Sequence, residues 1–241
     1  DKIEKNMAAC MEQKQKELYH AHAQRLALML QNQTEEEFAD SRFQVLSELT
    51  RLRQLCCDPA LVYENYEGGS AKLDLCIELI QSAVESGHKI LLFSQFTSMI
   101  EILTARLQEE SISYFVLQGS TKKEQRAQMV EQFNRDDTSV FCISLKAGGT
   151  GLNLTGADIV IHYDPWWNVA VENQATDRAH RIGQKNVVTV YKLIAKGTIE
   201  EKIIKLQQMK KELAEEILSG DEIKTASFQR EELLELLEER F

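Results

Sequence analysis

Two arginines, Arg178 and Arg181, stand inside the run Gln174-Ala175-Thr176-Asp177-Arg178-Ala179-His180-Arg181-Ile182-Gly183-Gln184. Residues three and four apart share a helical face. On a helix, Gln174, Arg178 and Arg181 therefore project together, while His180 points elsewhere. Each guanidinium presents a fixed fork of donors, so two that converge suit a multiply charged oxyanion. The competing reading is two solvated arginines balanced by Asp177 and Glu172, the usual fate of exposed charge.

A second feature lies just upstream, in Ser144-Leu145-Lys146-Ala147-Gly148-Gly149-Thr150-Gly151-Leu152-Asn153-Leu154. It follows the apolar run Val140-Phe141-Cys142-Ile143 and precedes Asp158-Ile159-Val160-Ile161-His162. A glycine-rich loop leaving a strand can turn backbone N–H groups toward an anion. No Gly-Lys-Ser/Thr follows these glycines, so the loop is not a P-loop. A tight turn between two buried strands is the plainer alternative.

Together these segments resemble the second motor lobe of the SWI/SNF-type family in helicase superfamily two. Lys89-Ile-Leu-Leu-Phe-Ser-Gln-Phe96 is similar to the first motif of that lobe, and Leu117-Gln118-Gly119-Ser120-Thr121, with Arg126 and Phe133-Asn134, to the next. Tyr163-Asp164-Pro165-Trp166-Trp167-Asn168 resembles the family's aspartate-to-tryptophan-asparagine stretch, and Leu52 to Pro59 the segment leading into the lobe. The motifs span roughly residues 45 to 220, in the family's order. Two positions depart from the pattern: Gln118 stands where an aspartate is usual, and Val169 where a proline follows the asparagine.

The resemblance implies an α/β fold, RecA-like, with three αβα layers around a mostly parallel sheet and helices flanking both ends. It implies Arg178 and Arg181 as catalytic arginine fingers, and Gly149, Gly151 and Gln174 facing the nucleotide. Ser94, Gln95, Gly119, Ser120, Lys146 and Trp167 would meet the DNA backbone, with tryptophan packing as the alternative for one of the Trp166-Trp167 pair. The implied cofactor is ATP with Mg2+, the metal held by a first lobe. The implied partners are double-stranded DNA, the N-terminal ATPase lobe of the same polypeptide, and proteins bound to that DNA. Two other classes stand beside this one: a helical protein-interaction module with a vestigial motor, and an RNA helicase lobe. Intact Arg178 and Arg181 argue against the first, and Arg-Ile-Gly-Gln against the second.

The Walker A lysine and the acidic magnesium box of the family's first lobe do not occur in the sequence. The chain thus reads as half a motor, inactive alone and excised from a longer polypeptide, as its start at Asp1 also suggests. The 241 residues, 43% of them hydrophobic, suffice for one good core with appendages. No apolar run reaches the length of a membrane span. The cysteines Cys10, Cys56, Cys57, Cys76 and Cys142 form no zinc spacing and are odd in number. They point to free thiols in a reducing, intracellular compartment: cytoplasm or nucleoid if bacterial, nucleus if eukaryotic. His20 and His22 diverge on a helix, so no metal site is expected.

Net charge is −10, which at first argues against nucleic acid. Residues 1–67 carry 12 acidic and 8 basic side chains, and 195–241 again 12 and 8, leaving 14 and 12 in between. Acidity thus sits on the flanks, and the near-neutral centre permits local phosphate sites but only weak DNA binding by itself.

Three segments are expected: a helical inter-lobe stretch 1–67, a lobe 68–196, and a helical extension 197–241. Residues 1–30 read as one long helix, and Thr34 with Glu37 as a capping box opening another that stops near Asp58-Pro59. Helix 71–86, strand 89–93, helix 98–109, strand 113–117, helix 122–134, strands 139–143 and 158–162, helix 170–181 and strand 187–194 follow. Helices from Thr198 to about Ser219 and over roughly 229–239 close the chain. Short apolar strands separated by helices predict a parallel sheet covered on both faces. Ligands of such sheets sit beyond the carboxyl ends of the strands, where Ser94, Gly119, Ser144 to Gly151 and Asp164 all fall.

Overall fold

The computed structural model describes residues 1–144, 147, 151–216 and 229–238. The chain divides into two compact units, Asp1–Ala9 with Ala71–Ile194, and Cys10–Ser70 with Ala195–Phe241.

The first unit is a six-stranded sheet in the order β1-β6-β5-β2-β4-β3. Its strands are β1 (Lys2–Ala9), β2 (Ile90–Ser94), β3 (Tyr114–Leu117), β4 (Val140–Ser144), β5 (Ile159–His162) and β6 (Val188–Ala195). β2 pairs in parallel with β4 and β5, β4 with β3, and β5 with β6. β2, β4 and β5 are buried at every position. That is why their sequences read as unbroken apolar runs rather than alternating ones. One sheet face presents Leu91, Phe93, Phe141, Ile143, Val160, Val188 and Val190, packed with Phe133, Ala175 and Ala179. Those last three come from α6 (Lys123–Arg135), α7 (Val169–Thr176) and the turn after it. On the same unit, α5 (Thr97–Glu109) packs on β2 and β4 and on α4 (Ala71–Glu85). The result is the three-layer α/β fold that the alternation of elements predicts.

The expected helix over 1–30 is corrected at its start: residues 2–9 form strand β1, and the helix α1 runs only from Gln13 to Asn32. Lys-Ile-Glu-Lys-Asn-Met-Ala-Ala holds good helix formers, but pairing with β6 overrides local preference. The Val188 N–H donates to the Asp1 carbonyl at 3.1 Å where both strands begin, and Lys5 lies over the Tyr191 ring farther along, so the two run the same way. Charged Lys2, Glu4 and Lys5 line this outermost strand, which keeps the open sheet edge from recruiting another chain.

The second unit is helical: α1, α2 (Glu35–Asp40), α3 (Arg42–Cys57), α8 (Ile199–Glu216) and α9 (Arg230–Leu237). Thr34 caps α2 as expected, its hydroxyl accepting from the Glu37 N–H while the Glu37 carboxylate accepts from the Thr34 N–H. The helix then breaks at Ser41 before α3 begins, and Asp58 accepts from the Ala60 N–H to start a short 3-10 turn. α1 packs on α3 and α9, and α8 on α3 and α9.

Candidate functional site

Parallel register brings the strand ends to one rim, with Ser94 level with Ser144 and Phe93 level with His162. Asp164, fully buried two residues past β5, is the pivot of this rim. Its carboxylate accepts from the Ser94 hydroxyl at 2.5 Å and from the Gln95 N–H at 3.1 Å. The Ser94 oxygen also accepts from the Phe96 N–H at 3.2 Å, and the Gln95 side chain donates to the Pro165 carbonyl at 3.0 Å. Ser94 is therefore spent inside the protein, whereas Gln95 stays half-buried. The sequence offered Asp164 only as one of several strand-end residues; its hold on Ser94 is visible only in three dimensions.

The arginine run is placed differently from the sequence expectation. α7 ends at Thr176, and Asp177 to Gly183 form a succession of turns, so Arg178 and Arg181 do not share a helical face with Gln174. Thr176 and Asp177 are poor helix formers. Beyond them, the Ala179 and His180 N–H groups both return to the Thr176 carbonyl, and Gly183 takes φ +105°, which favours glycine. Gln174 is exposed on α7. Arg178 is 6% exposed, with its guanidinium carbon 5.8 Å from the centre of the Phe93 ring. Burial, and then the like charge of Arg181, bring its pKa down to about 10. Arg181 is exposed and donates through Nε to the Asp177 carbonyl at 3.1 Å. Two cations thus stand close enough to repel, one seated in the wall and one on the surface, and a bound anion would relieve both.

Gln184 fixes this turn. Its side-chain amide donates to the carbonyls of Thr155, Ala157 and Ala179 at 3.2, 2.8 and 3.0 Å. The Leu154 N–H donates to the Arg178 carbonyl at 3.0 Å, so the arginine turn and the segment after the glycine loop are laced together. Within that loop Gly151 is exposed with φ +101° and open space where a side chain would stand. Lys146 and Gly149 lie outside the described residues.

Gly119 and Ser120 are exposed ahead of α6. Neither Ser120 nor Thr121 caps that helix: Lys122 is the N-cap residue, with no side-chain bond. The Thr121 hydroxyl instead accepts from the Gln118 N–H at 3.1 Å. Arg126, quoted above in a motif but given no role, sends its guanidinium to carbonyls of this loop.

Trp166 and Trp167 are both half-buried on the segment after β5. The Trp166 N–H donates to the Glu172 carboxylate at 3.3 Å, and that wholly buried carboxylate meets Lys192 at 2.5 Å. Asn168 caps α7 by accepting from the Ala170 N–H at 3.0 Å, so Val169 is the first helical residue. A proline is preorganised at that position; valine keeps the turn and loses only the preorganisation.

Residues 71–183 match the family model described as the helicase conserved C-terminal domain. The C-terminal domain of the Sulfolobus solfataricus SWI2/SNF2 ATPase is 33% identical, with TM-score 0.78 and both chains covered completely. The chain belongs to the SWI2/SNF2 ATPases, as their C-terminal lobe. The Sulfolobus core in complex with double-stranded DNA matches at TM-score 0.80 and 33% identity, over all of this chain and 51% of that one. Two curated relatives carry the same lobe: a Mycoplasma pneumoniae protein named uncharacterized ATP-dependent helicase, and the human chromatin-remodeling ATPase INO80. The first is 45% identical over 82% of this chain and 19% of its own length, the second 44% over 70% and 11%. The chain thus spans about a fifth or less of these relatives. Among the described residues no helix is long and apolar enough to cross a membrane, and no three His, Cys, Asp or Glu side chains gather as a metal would require.

Proposed function

We propose that this SWI2/SNF2 lobe works as half of an ATP-driven translocase on double-stranded DNA, closing over ATP held by a first lobe of the same polypeptide. Arg178, buried against the Phe93 ring near the end of β2, and Arg181, exposed three residues further on, carry the reading. A buried arginine beside a second cation suits a phosphate chain, whose charge would offset both the desolvation and the repulsion. Arg181, exposed, would reach outward as an arginine finger, while buried Arg178 would add a second positive charge. Fingers of this kind contribute about 10³–10⁵ in rate in other NTPases. Mg2+ held by the first lobe would neutralise charge on the same phosphates; this chain's part is cationic.

Gly149, Gly151 and Gln174 are assigned to the nucleotide side, and Gln95, Gly119, Ser120, Lys146 and Trp167 to the DNA backbone. Ser94 belongs to this grip through Asp164, since its hydroxyl is already committed. Opening and closing of the cleft would shift one DNA grip against the other and step the protein along the duplex without separating strands. The duplex in the Sulfolobus complex favours this over an RNA helicase. A motor of this kind would work in a cellular compartment that holds DNA and would displace proteins bound to that DNA.

The deciding experiment is Arg181→Ala in the full-length protein. Hydrolysis stimulated by duplex should fall about 10³-fold while ATP affinity stays within a few-fold, because a group acting on developing charge lowers kcat more than binding. A variant that binds ATP far more weakly yet keeps kcat would make Arg181 a ground-state clamp. Thermal melts run alongside exclude loss of fold.

A further inference from the structure

Arg126 has no part in that scheme, yet its side chain makes four hydrogen bonds beside the proposed DNA grip. It is half-buried on the first turn of α6. Nε donates to the Thr121 carbonyl at 2.9 Å, and Nη1 to the Ala147 carbonyl at 3.0 Å. Nη2 donates to the carbonyls of Gln118 at 3.3 Å and Gly119 at 3.1 Å. All four bonds go to backbone oxygens, so the planar fork is used for shaping chain rather than for meeting a charge.

The direction of those carbonyls has a consequence for the opposite side of the loop. In a trans peptide, a carbonyl and the N–H of the next residue point in opposite directions, and among the described residues there is no cis peptide bond. Carbonyls of Gln118 and Gly119 drawn onto Arg126 therefore turn the N–H groups of Gly119 and Ser120 away from it. Both residues are exposed, and among the described residues neither N–H has an acceptor. Two donors thus face away from Arg126 beside the N-terminus of α6, where the helix dipole also favours negative charge.

We propose that Arg126 is a positioning residue for the DNA grip. It holds residues 118–121 so that the Gly119 and Ser120 N–H groups meet a backbone phosphate, and it ties that loop to Ala147, between Ser144 and Gly151. The inference rests on the assignment of Gly119 and Ser120 to DNA. It differs from a direct role, in which the guanidinium charge would itself contact phosphate, and from mere loop filling.

Lysine separates these cases, because it keeps the charge and loses the fork. In the full-length protein, ATPase activity is measured against duplex concentration for Arg126→Lys, Arg126→Ala and Ser120→Asp. Positioning predicts that both Arg126 variants raise the half-saturating duplex concentration about tenfold, more than they lower kcat. The dependence of duplex binding on salt should stay unchanged in Arg126→Lys. Wild-type half-saturation in Arg126→Lys, with a salt slope lowered by about one unit in Arg126→Ala, would make Arg126 a phosphate contact and overturn the proposal. Activity falling only in step with melting temperature, at constant half-saturation, overturns it in favour of loop filling. Ser120→Asp places a negative charge where the phosphate would sit. If that variant binds duplex normally, the grip itself is misplaced; if it binds weakly while Arg126→Lys does not, only the positioning role fails.

Discussion

Acidification should destabilise the sheet unit through one histidine. His162 is fully buried at the end of β5, its Nε2 2.9 Å from the Thr176 hydroxyl and its ring stacked on Phe93 with centroids 5.4 Å apart. Burial takes its pKa from 6.5 to about 4; Lys192 and Lys2 push the same way, and Glu172 and Glu4 oppose them. A folded pKa below the unfolded one means that the unfolded chain takes the proton first. The stabilisation is therefore complete above the unfolded pKa and is lost as pH falls toward the folded one. With those two values, linkage gives a loss of about 2 kcal/mol between pH 7 and pH 5. That is a sizeable share of the ~5–15 kcal/mol by which domains are stable. Both tryptophans, Trp166 and Trp167, lie in the sheet unit, so urea unfolding followed by their fluorescence reports on that unit. His162→Gln removes the titration, and the stability difference between the two pH values should shrink by about 2 kcal/mol relative to wild type. An unchanged difference would refute the reasoning, as would an imidazole that titrates in the folded protein near its ordinary value.

The isolated chain should fold and hydrolyse no ATP, which incubation with ATP and duplex tests directly; turnover that survives repurification would mean that a catalytic apparatus has been overlooked. In the full-length protein, Lys146→Ala should weaken duplex binding uniformly across sequences and lower the salt slope by about one unit. Trp167→Ala should leave that slope unchanged and reduce translocation per ATP consumed, measured by triplex displacement. A Trp167 variant with only a lower melting temperature and intact coupling would mark a packing residue.

Much of this architecture is legible in the sequence, because buried strands advertise themselves. Ile90–Ser94, Val140–Ser144 and Ile159–His162 fall within a residue or so of their expected places, since unbroken apolar runs admit few other readings. The Thr34–Glu37 cap is equally local, with both hydrogen bonds made inside four residues. β1 was hidden because its strand character comes from β6, far along the chain, while its own residues favour helix. The arginines were expected on one helical face, but α7 stops at Thr176, and their proximity comes from turns held by Gln184 and Leu154. Periodicity cannot register such a tether. Nor could it register the withdrawal of Ser94 behind Asp164, where both partners are polar residues that look available.

The pairing of β1 with β6 also sets a clock. During synthesis, Lys2–Ala9 leaves the ribosome long before Val188–Ala195, the strand it must join. At ~5–20 residues per second the interval is roughly 10–40 s. Until then an exposed strand waits for its neighbour, while the interior pairs β2–β4 and β3–β4 can already form. The waiting strand opens with Lys-Ile-Glu-Lys, too charged to associate readily with other nascent chains. The sheet is thus finished from its far margin last, by the strand that leaves the ribosome first among its six.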